Sequence, residues 1–274
     1  MGTEIGNKVL FVQARTSPEK LAKERKMMSS LAMEAGFTAR FANPLVEQHS
    51  DTTVFEHNLH PRILNEYGAV VFLGTDLMEL SLARHVFIAD ASKRDHYLRS
   101  VVPLVEAALE HDVPTLGICL GHQLISAVAG GKIERVLERE ETGTRLLHQL
   151  SEDPVFRGLQ NPAKILTLHV DSVTKAPPGF IDIAETSELD GGTIVQHAMM
   201  RRGNIMTIQP HPELRDPVEI VTQVNSSHDS SLGEFPEPES LVLPDNTGII
   251  VVNFLREAKA IVERRGSIYP IECC

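Results

Sequence analysis

The sequence predicts an α/β fold: a doubly wound, mostly parallel sheet with helices on both faces and a small antiparallel annex. Three observations carry this. Short, almost wholly apolar runs at 8–12, 69–73 and 113–119 have the composition of strands buried on both faces. Segments with a helical apolar stripe separate them. Beyond residue 131 the pattern changes to shorter strand candidates in close succession.

Lys8 to Val12 reads as the first strand. Ser17 is the N-cap of the helix that follows, and Pro18 suits its first position. Leu21, Met28, Leu31 and Ala35 form its buried face, and Gly36 closes it. Phe37 to Phe41 is a second strand, Asn43 to Pro61 is irregular, and Ala69 to Leu73 is a third strand ending at Gly74. Asp76 to Asp95 reads as an inserted lid or a short helix. Tyr97 to His111 carries a helical stripe of Leu98, Val101, Val105 and Ala108, with Pro103 in the first turn or at a kink. Val113 to Cys119 is a strand, and Gln123 to Ala129 is a helix closed by Gly130 and Gly131. The annex candidates are Lys132 to Val136, Gly143 to Gln149, Ile165 to Val170, Ile194 to Met199 and Asn204 to Ile208. Ser226 to Asn246 has linker composition, and Ile249 to Arg265 is a closing helix with Phe254, Leu255, Ala258 and Val262 on one face. The expected organisation is one domain over 1–222, a polar linker over 223–247, and a helix and tail over 248–274 that pack on the same domain.

With 26 basic and 37 acidic residues among 274, the formal charge is −11. Such a chain repels phosphate backbones, and no basic stripe with interleaved aromatics offsets this, so no nucleic-acid partner is expected. No apolar run reaches the roughly 18 residues of a membrane span. Charges scattered through the first thirty residues do not suit a signal peptide. Three cysteines, two of them at the very end, make no disulfide framework and suit a reducing, cytoplasmic setting.

The third cysteine, Cys119, sits in Gly117-Ile118-Cys119-Leu120-Gly121-His122-Gln123, where a buried strand must turn into a helix. Glycines two residues to either side relieve the crowding of such a turn, as in the Gly-x-Ser-x-Gly elbow. The helix N-terminus then favours thiolate, and its first N–H groups can stabilise an oxyanion. An isolated buried cysteine is more often an inert small hydrophobe; the flanking glycines set this one apart. A thiolate needs a base, and the base an orienter. Gln209-Pro210-His211-Pro212-Glu213 offers both, with His211 held between prolines and Glu213 two residues on. Alone, His-Pro-Glu is an ordinary surface turn. His57 and His60 have a possible metal-ligand spacing, but no second pair follows, so no metal and no cofactor is expected. Cys273-Cys274 could suggest lipidation, but no polybasic run precedes it and a plain tail is the simpler reading. Asp229 to Glu239 reads as solvated linker, with a docking strand as the alternative.

The elbow Pro114 to Ile125 together with Gln209 to Glu213 closely resembles the motifs of the class I (triad-type) glutamine amidotransferases, which have a flavodoxin-like fold. Glu141-x-Gly143, Asp153 to Gly158 and His169-Val-Asp-Ser-Val173 agree with that family in order and spacing. The resemblance covers roughly residues 8 to 222. It implies that Cys119 attacks the side-chain amide of glutamine, that His211 held by Glu213 moves the proton, and that a γ-glutamyl thioester is hydrolysed to glutamate. It places Leu120 and the Gly74-Thr75 turn at the oxyanion hole. Gly121, Gln123 and the loop of His169, Val170 and Asp171 fall at the substrate's amino-acid head. His169 also has a plainer reading as a strand-end histidine.

Two departures stand out. The family has Gly-Gly-Pro where this chain has Gly74-Thr75-Asp76, and glycine where it has Val170. Threonine resists the positive φ that glycine permits, so a weaker or partner-gated enzyme is one expectation. The sequence shows neither a phosphate loop nor a Ser-Gly-Gly-x-Asp-Ser loop, so an acceptor synthetase is expected on a separate chain. A γ-glutamyl hydrolase on the same fold, acting on a γ-glutamyl compound, is the alternative. A non-catalytic regulatory member is the second alternative.

Overall fold

Strand β1 (Lys8–Val12) lies between β2 (Thr38–Ala42) and β4 (Ala69–Phe72), and all three run parallel. The structure, a computed structural model, describes residues 5–46, 54–55, 59–75, 77, 80–83, 91–135, 141–192, 194–214 and 244–265. The short strand β3 (Val54–Phe55) borders β2. On the other side come β5 (Thr115–Ile118) and β12 (Ile205–Ile208), also parallel. The sheet then continues antiparallel through β11 (Ile194–Arg202), β10 (Ile181–Ser187), β7 (Glu141–Gln149) and β8 (Ala163–His169). A separate ribbon pairs β6 (Lys132–Arg135) with β9 (Asp171–Lys175). The fold is therefore a mostly parallel α/β sheet with helices and a small antiparallel part. The antiparallel strands extend the main sheet rather than forming a separate layer, with only the ribbon apart.

The strands read as continuous apolar runs because both faces are covered. Val9, Phe11, Val71, Leu116 and Ile118 face one core, with Met28 and Leu31 of α1 (Pro18–Glu34) and Val251, Phe254 and Leu255 of α4 (Ile249–Arg265). Leu10, Val12, Val70 and Phe72 face the other, with Val101, Leu104 and Val105 of α2 (Ser92–Glu110) and Leu120 and Leu124 of α3 (Leu120–Val128). Each such side chain, fully buried, contributes about 1.5–3 kcal/mol.

Several boundaries differ from expectation. Helix α2 begins at Ser92, so Pro103 falls mid-helix, not in the first turn. Pro103 is on the exposed side, where water can take the carbonyl it leaves unpaired. Helix α3 begins at Leu120, directly after the cysteine. Strands β9 and β10 were not foreseen, and β12, placed in the annex by sequence, is parallel to β5. Most of the expected linker (223–243), the Cys273-Cys274 tail, Asp76 and His57 lie outside the described residues, whereas 244–247 are described and Thr247 is fully buried. His60 accepts from the Arg62 N–H and caps the turn Pro61–Glu66.

Candidate active site

The Cys119 backbone has φ +51°, in a region that L side chains rarely adopt. Its N–H donates to the Ile208 carbonyl, which ties the end of β5 to the end of β12. The chain must then reverse at once into α3, and close packing permits only glycine beside it. A Cβ at Gly117 would lie 2.5 Å from the Gly121 carbonyl oxygen, and one at Gly121 would lie 2.2 Å from that of Phe72. Cys119 is 5% exposed, and its thiol points at the Leu168 carbonyl 3.9 Å away.

The same strand β12 that borders the elbow leads, three residues on, to His211. Its N–H donates to the Leu166 carbonyl and pins the loop to β8. His211 Nδ1–H donates to Glu213 Oε1 at 2.8 Å, with both residues buried. Burial alone would push the imidazole pKa down. The Glu213 carboxylate and then Cys119, each a charge and hydrogen-bond partner of the ring, outweigh it and push the pKa up to about 10. A ring so placed keeps its proton near neutrality and can hand it to a leaving group.

Opposite Cys119 lies Gly74 at the end of β4. A Cβ there would come within 2.9 Å of His211 Cε1 and 3.3 Å of Cys119 Cβ, so the Gly74-Thr75 turn packs directly on the pair. Thr75 is not among the residues with positive φ, so a side chain at this position brings no left-handed strain. Leu120 begins α3, and its backbone follows the sulfur-bearing residue directly.

The expected substrate residues form a neighbouring cluster. Gln123 Nε2 donates to the Asp171 carbonyl at 2.8 Å and to Gln209 Oε1 at 3.1 Å. Asp171 is buried, and its carboxylate accepts from Arg135 Nε at 3.0 Å and from the Ser81 hydroxyl. His169 ends β8 with Nδ1 3.3 Å from the Ser172 hydroxyl, and Val170 is half-buried between them. Gly121 is buried in the first turn of α3.

Four residues were not singled out by sequence. Arg135 lies opposite Asp171 in the β6–β9 register, and its Nη2 is buried without a partner. Ser81 reaches Asp171 from the stretch read as a lid. Thr247, fully buried, donates to the Pro212 carbonyl inside the His211 loop. His122 is buried with both ring nitrogens unpartnered; burial foremost, then His169 and His197, pushes its pKa down to about 3, so it stays neutral. It borders a small cavity with His169, His197 and Gln209, which adjoins the loop of His211. Only a signal at the level of three-dimensional pairing could have found these four. Among the described residues no group of three His, Cys, Asp or Glu side chains is placed to hold a metal.

The family model "Glutamine amidotransferase class-I" matches residues 31–219. The chain belongs to the class I glutamine amidotransferases. It is 37% identical over 131 residues to a GMP synthase [glutamine-hydrolyzing] of Thermus thermophilus, covering 48% of this chain and 23% of the relative. It is 39% identical over 112 residues to a GMP synthase [glutamine-hydrolyzing] subunit of Thermococcus kodakarensis, covering 39% of this chain and 57% of the relative. The matched stretch thus spans from about a quarter to just over half the length of these curated relatives. Among solved structures, a putative GMP synthase subunit of Thermoplasma acidophilum superposes with TM-score 0.62 at 16% identity over 94% of this chain and 96% of that one. A glutamine amidotransferase of Thermotoga maritima gives 0.58 at 19% identity, over 94% and 92%. At such identity these two likenesses speak for the fold. In amidotransferase terms, the Cys elbow and the His-x-Glu motif stand side by side in space, although 92 positions separate Cys119 from His211. No helix among the described residues is long and apolar enough to cross a membrane.

Proposed function

We propose that this amidotransferase hydrolyses the side-chain amide of glutamine, with Cys119 as nucleophile, His211 as acid and base, and Glu213 as the group that orients His211. The observation that supports this most is a cysteine on a strained elbow whose partner imidazole carries a raised pKa from a buried carboxylate. The Cys119 sulfur forms a bond to the amide carbon, and the carbonyl π pair moves to oxygen. The N–H groups of Leu120 and of the Gly74-Thr75 turn receive that oxyanion. Collapse breaks the C–N bond, and His211 gives its proton to the departing nitrogen, which leaves as ammonia. His211, now neutral, takes a proton from water as the water oxygen attacks the thioester. The C–S bond breaks, glutamate leaves and the imidazolium–thiolate pair returns.

Gln123, Asp171 and Arg135 would receive the amino-acid head of the substrate. Asp171 keeps acceptor capacity for an ammonium beyond its two bonds, and Arg135 offers an unpaired guanidinium nitrogen. Relatives that are themselves named as one subunit of GMP synthase favour delivery of the ammonia to a separate synthetase chain.

The test is ammonia release from glutamine by wild type and Cys119→Ala, with intact mass after acid quenching. Wild type should release ammonia and gain a γ-glutamyl group on Cys119, and Cys119→Ala should do neither. Undiminished turnover in Cys119→Ala would overturn the assignment. Turnover of γ-glutamyl peptides but not of glutamine would move it to a γ-glutamyl hydrolase.

A further inference from the structure

Resting on the glutaminase reading, we infer that the Thr75 side chain is a positioning device: its hydroxyl clamps the oxyanion turn onto the β1–α1 loop. The family motif has glycine here, so the clamp belongs to this chain's own departure from the pattern. Thr75 Oγ1 donates to the Ala14 carbonyl at 2.6 Å and accepts from the Leu77 N–H at 3.0 Å. One hydroxyl has one proton and two lone pairs, so both bonds can be made at once. They join the loop after β1, the turn after β4 and the chain beyond it.

The anchor end is rigid. Ala14 is fully buried between Gln13 and Arg15, and both of these are bound to the Glu24 carboxylate of α1, at 2.7 and 2.8 Å. Asn43 adds a bond to the Arg15 carbonyl at 2.7 Å, and Arg25 adds one to Gln13 Oε1 at 3.0 Å. The working end is sensitive. Gly74 precedes Thr75 directly and packs on both His211 and Cys119, so any drift of the turn moves it against the reacting atoms. Regular pairing holds the chain only as far as Leu73, whose N–H donates to the Val12 carbonyl. Where the family has a proline to stiffen the next position, this chain has Asp76. The hydroxyl supplies the stiffness that the missing proline does not, and without left-handed strain at Thr75.

Thr75→Val keeps the shape and deletes the hydroxyl, Thr75→Ser keeps the hydroxyl, and Thr75→Gly restores the family residue. The clamp predicts that Val and Gly lower kcat on glutamine by about 10–100-fold, the range of a displaced oxyanion donor and less than the roughly 10²–10³-fold of one lost outright, with little change in KM. Ser should regain most of the rate. Alkylation of Cys119 by iodoacetamide forms no oxyanion, so its rate should stay at wild-type level in all three. Hydrogen exchange at the Leu77 amide, which donates to the hydroxyl, should be slow in wild type and Ser and faster in Val and Gly. Wild-type kcat in Thr75→Val, a gain in Thr75→Gly, or alkylation falling in step with kcat would overturn the clamp. If wild type releases no ammonia, the glutaminase reading fails instead, and Leu77 exchange alone decides whether the clamp exists.

Discussion

Replacing Glu213 by glutamine keeps the volume and removes the charge, which isolates what the carboxylate does. Glu213 Oε1 lies 2.8 Å from His211 Nδ1, with both side chains at most 4% exposed. At an effective dielectric of about 20, that contact is worth on the order of 5 kcal/mol to the protonated ring. It is the largest of the attractions that overcome burial, with Cys119 supplying the rest. Without it, the His211 pKa should fall from about 10. The amide also has two ways to face the ring. Its oxygen can accept from Nδ1–H, or its nitrogen can donate to Nδ1 and force the wrong tautomer. The second carboxylate oxygen, Oε2, is buried without a hydrogen-bond partner. We expect Glu213→Gln to lower kcat by about 10²–10⁴-fold with KM nearly unchanged, the range for a lost acid–base function. The basic limb of the rate profile should move towards acid, because the proton His211 gives to the departing nitrogen is lost earlier. Continuous ammonia detection across pH, beside a thermal melt to confirm folding, measures both. A folded Glu213→Gln enzyme with more than about a tenth of the wild-type kcat, or with an unmoved basic limb, would refute the reasoning; a tenth is only about 1.4 kcal/mol.

Two further outcomes follow from the same contacts. The raised pKa of His211 means the folded state holds a proton that the unfolded chain releases. Its stabilisation is therefore full below about 6.5 and is lost as pH rises through about 10. Urea midpoints of wild type and His211→Asn should converge over that window, and a gap that stays constant with pH contradicts the shift. Thr247→Val removes a fully buried donor and leaves the Pro212 carbonyl without it. The expected loss is about 1–3 kcal/mol, seen as a lower urea midpoint with unchanged slope, and an unchanged midpoint contradicts the role given to this bond.

What could be read from the chain follows the range of the physics involved. The elbow was legible because its demands are local: Gly117 and Gly121 are required by carbonyl oxygens that α3 and β4 bring close, and the two glycines stand at fixed spacing around Cys119. The His211–Glu213 pair was legible because two positions suffice to connect them. Whether that pair reaches Cys119 depends on β12 lying parallel beside β5, and periodicity carries no information about strand order; residues 204–208 look the same in either setting. Strand β9, Asp-Ser-Val-Thr-Lys, is too polar to show as a strand alone and exists because β6 supplies its partner. Arg135 and Ser81 meet Asp171 from 36 and 90 positions away, and neither has a local pattern to announce it. Thr75 is the instructive case. As a letter replacing glycine it signals a backbone at risk of strain. In the fold the backbone there has no positive φ, and the added side chain makes two hydrogen bonds that glycine could not. A departure from a motif therefore has a sign only once the backbone angle and the neighbours of the new side chain are known.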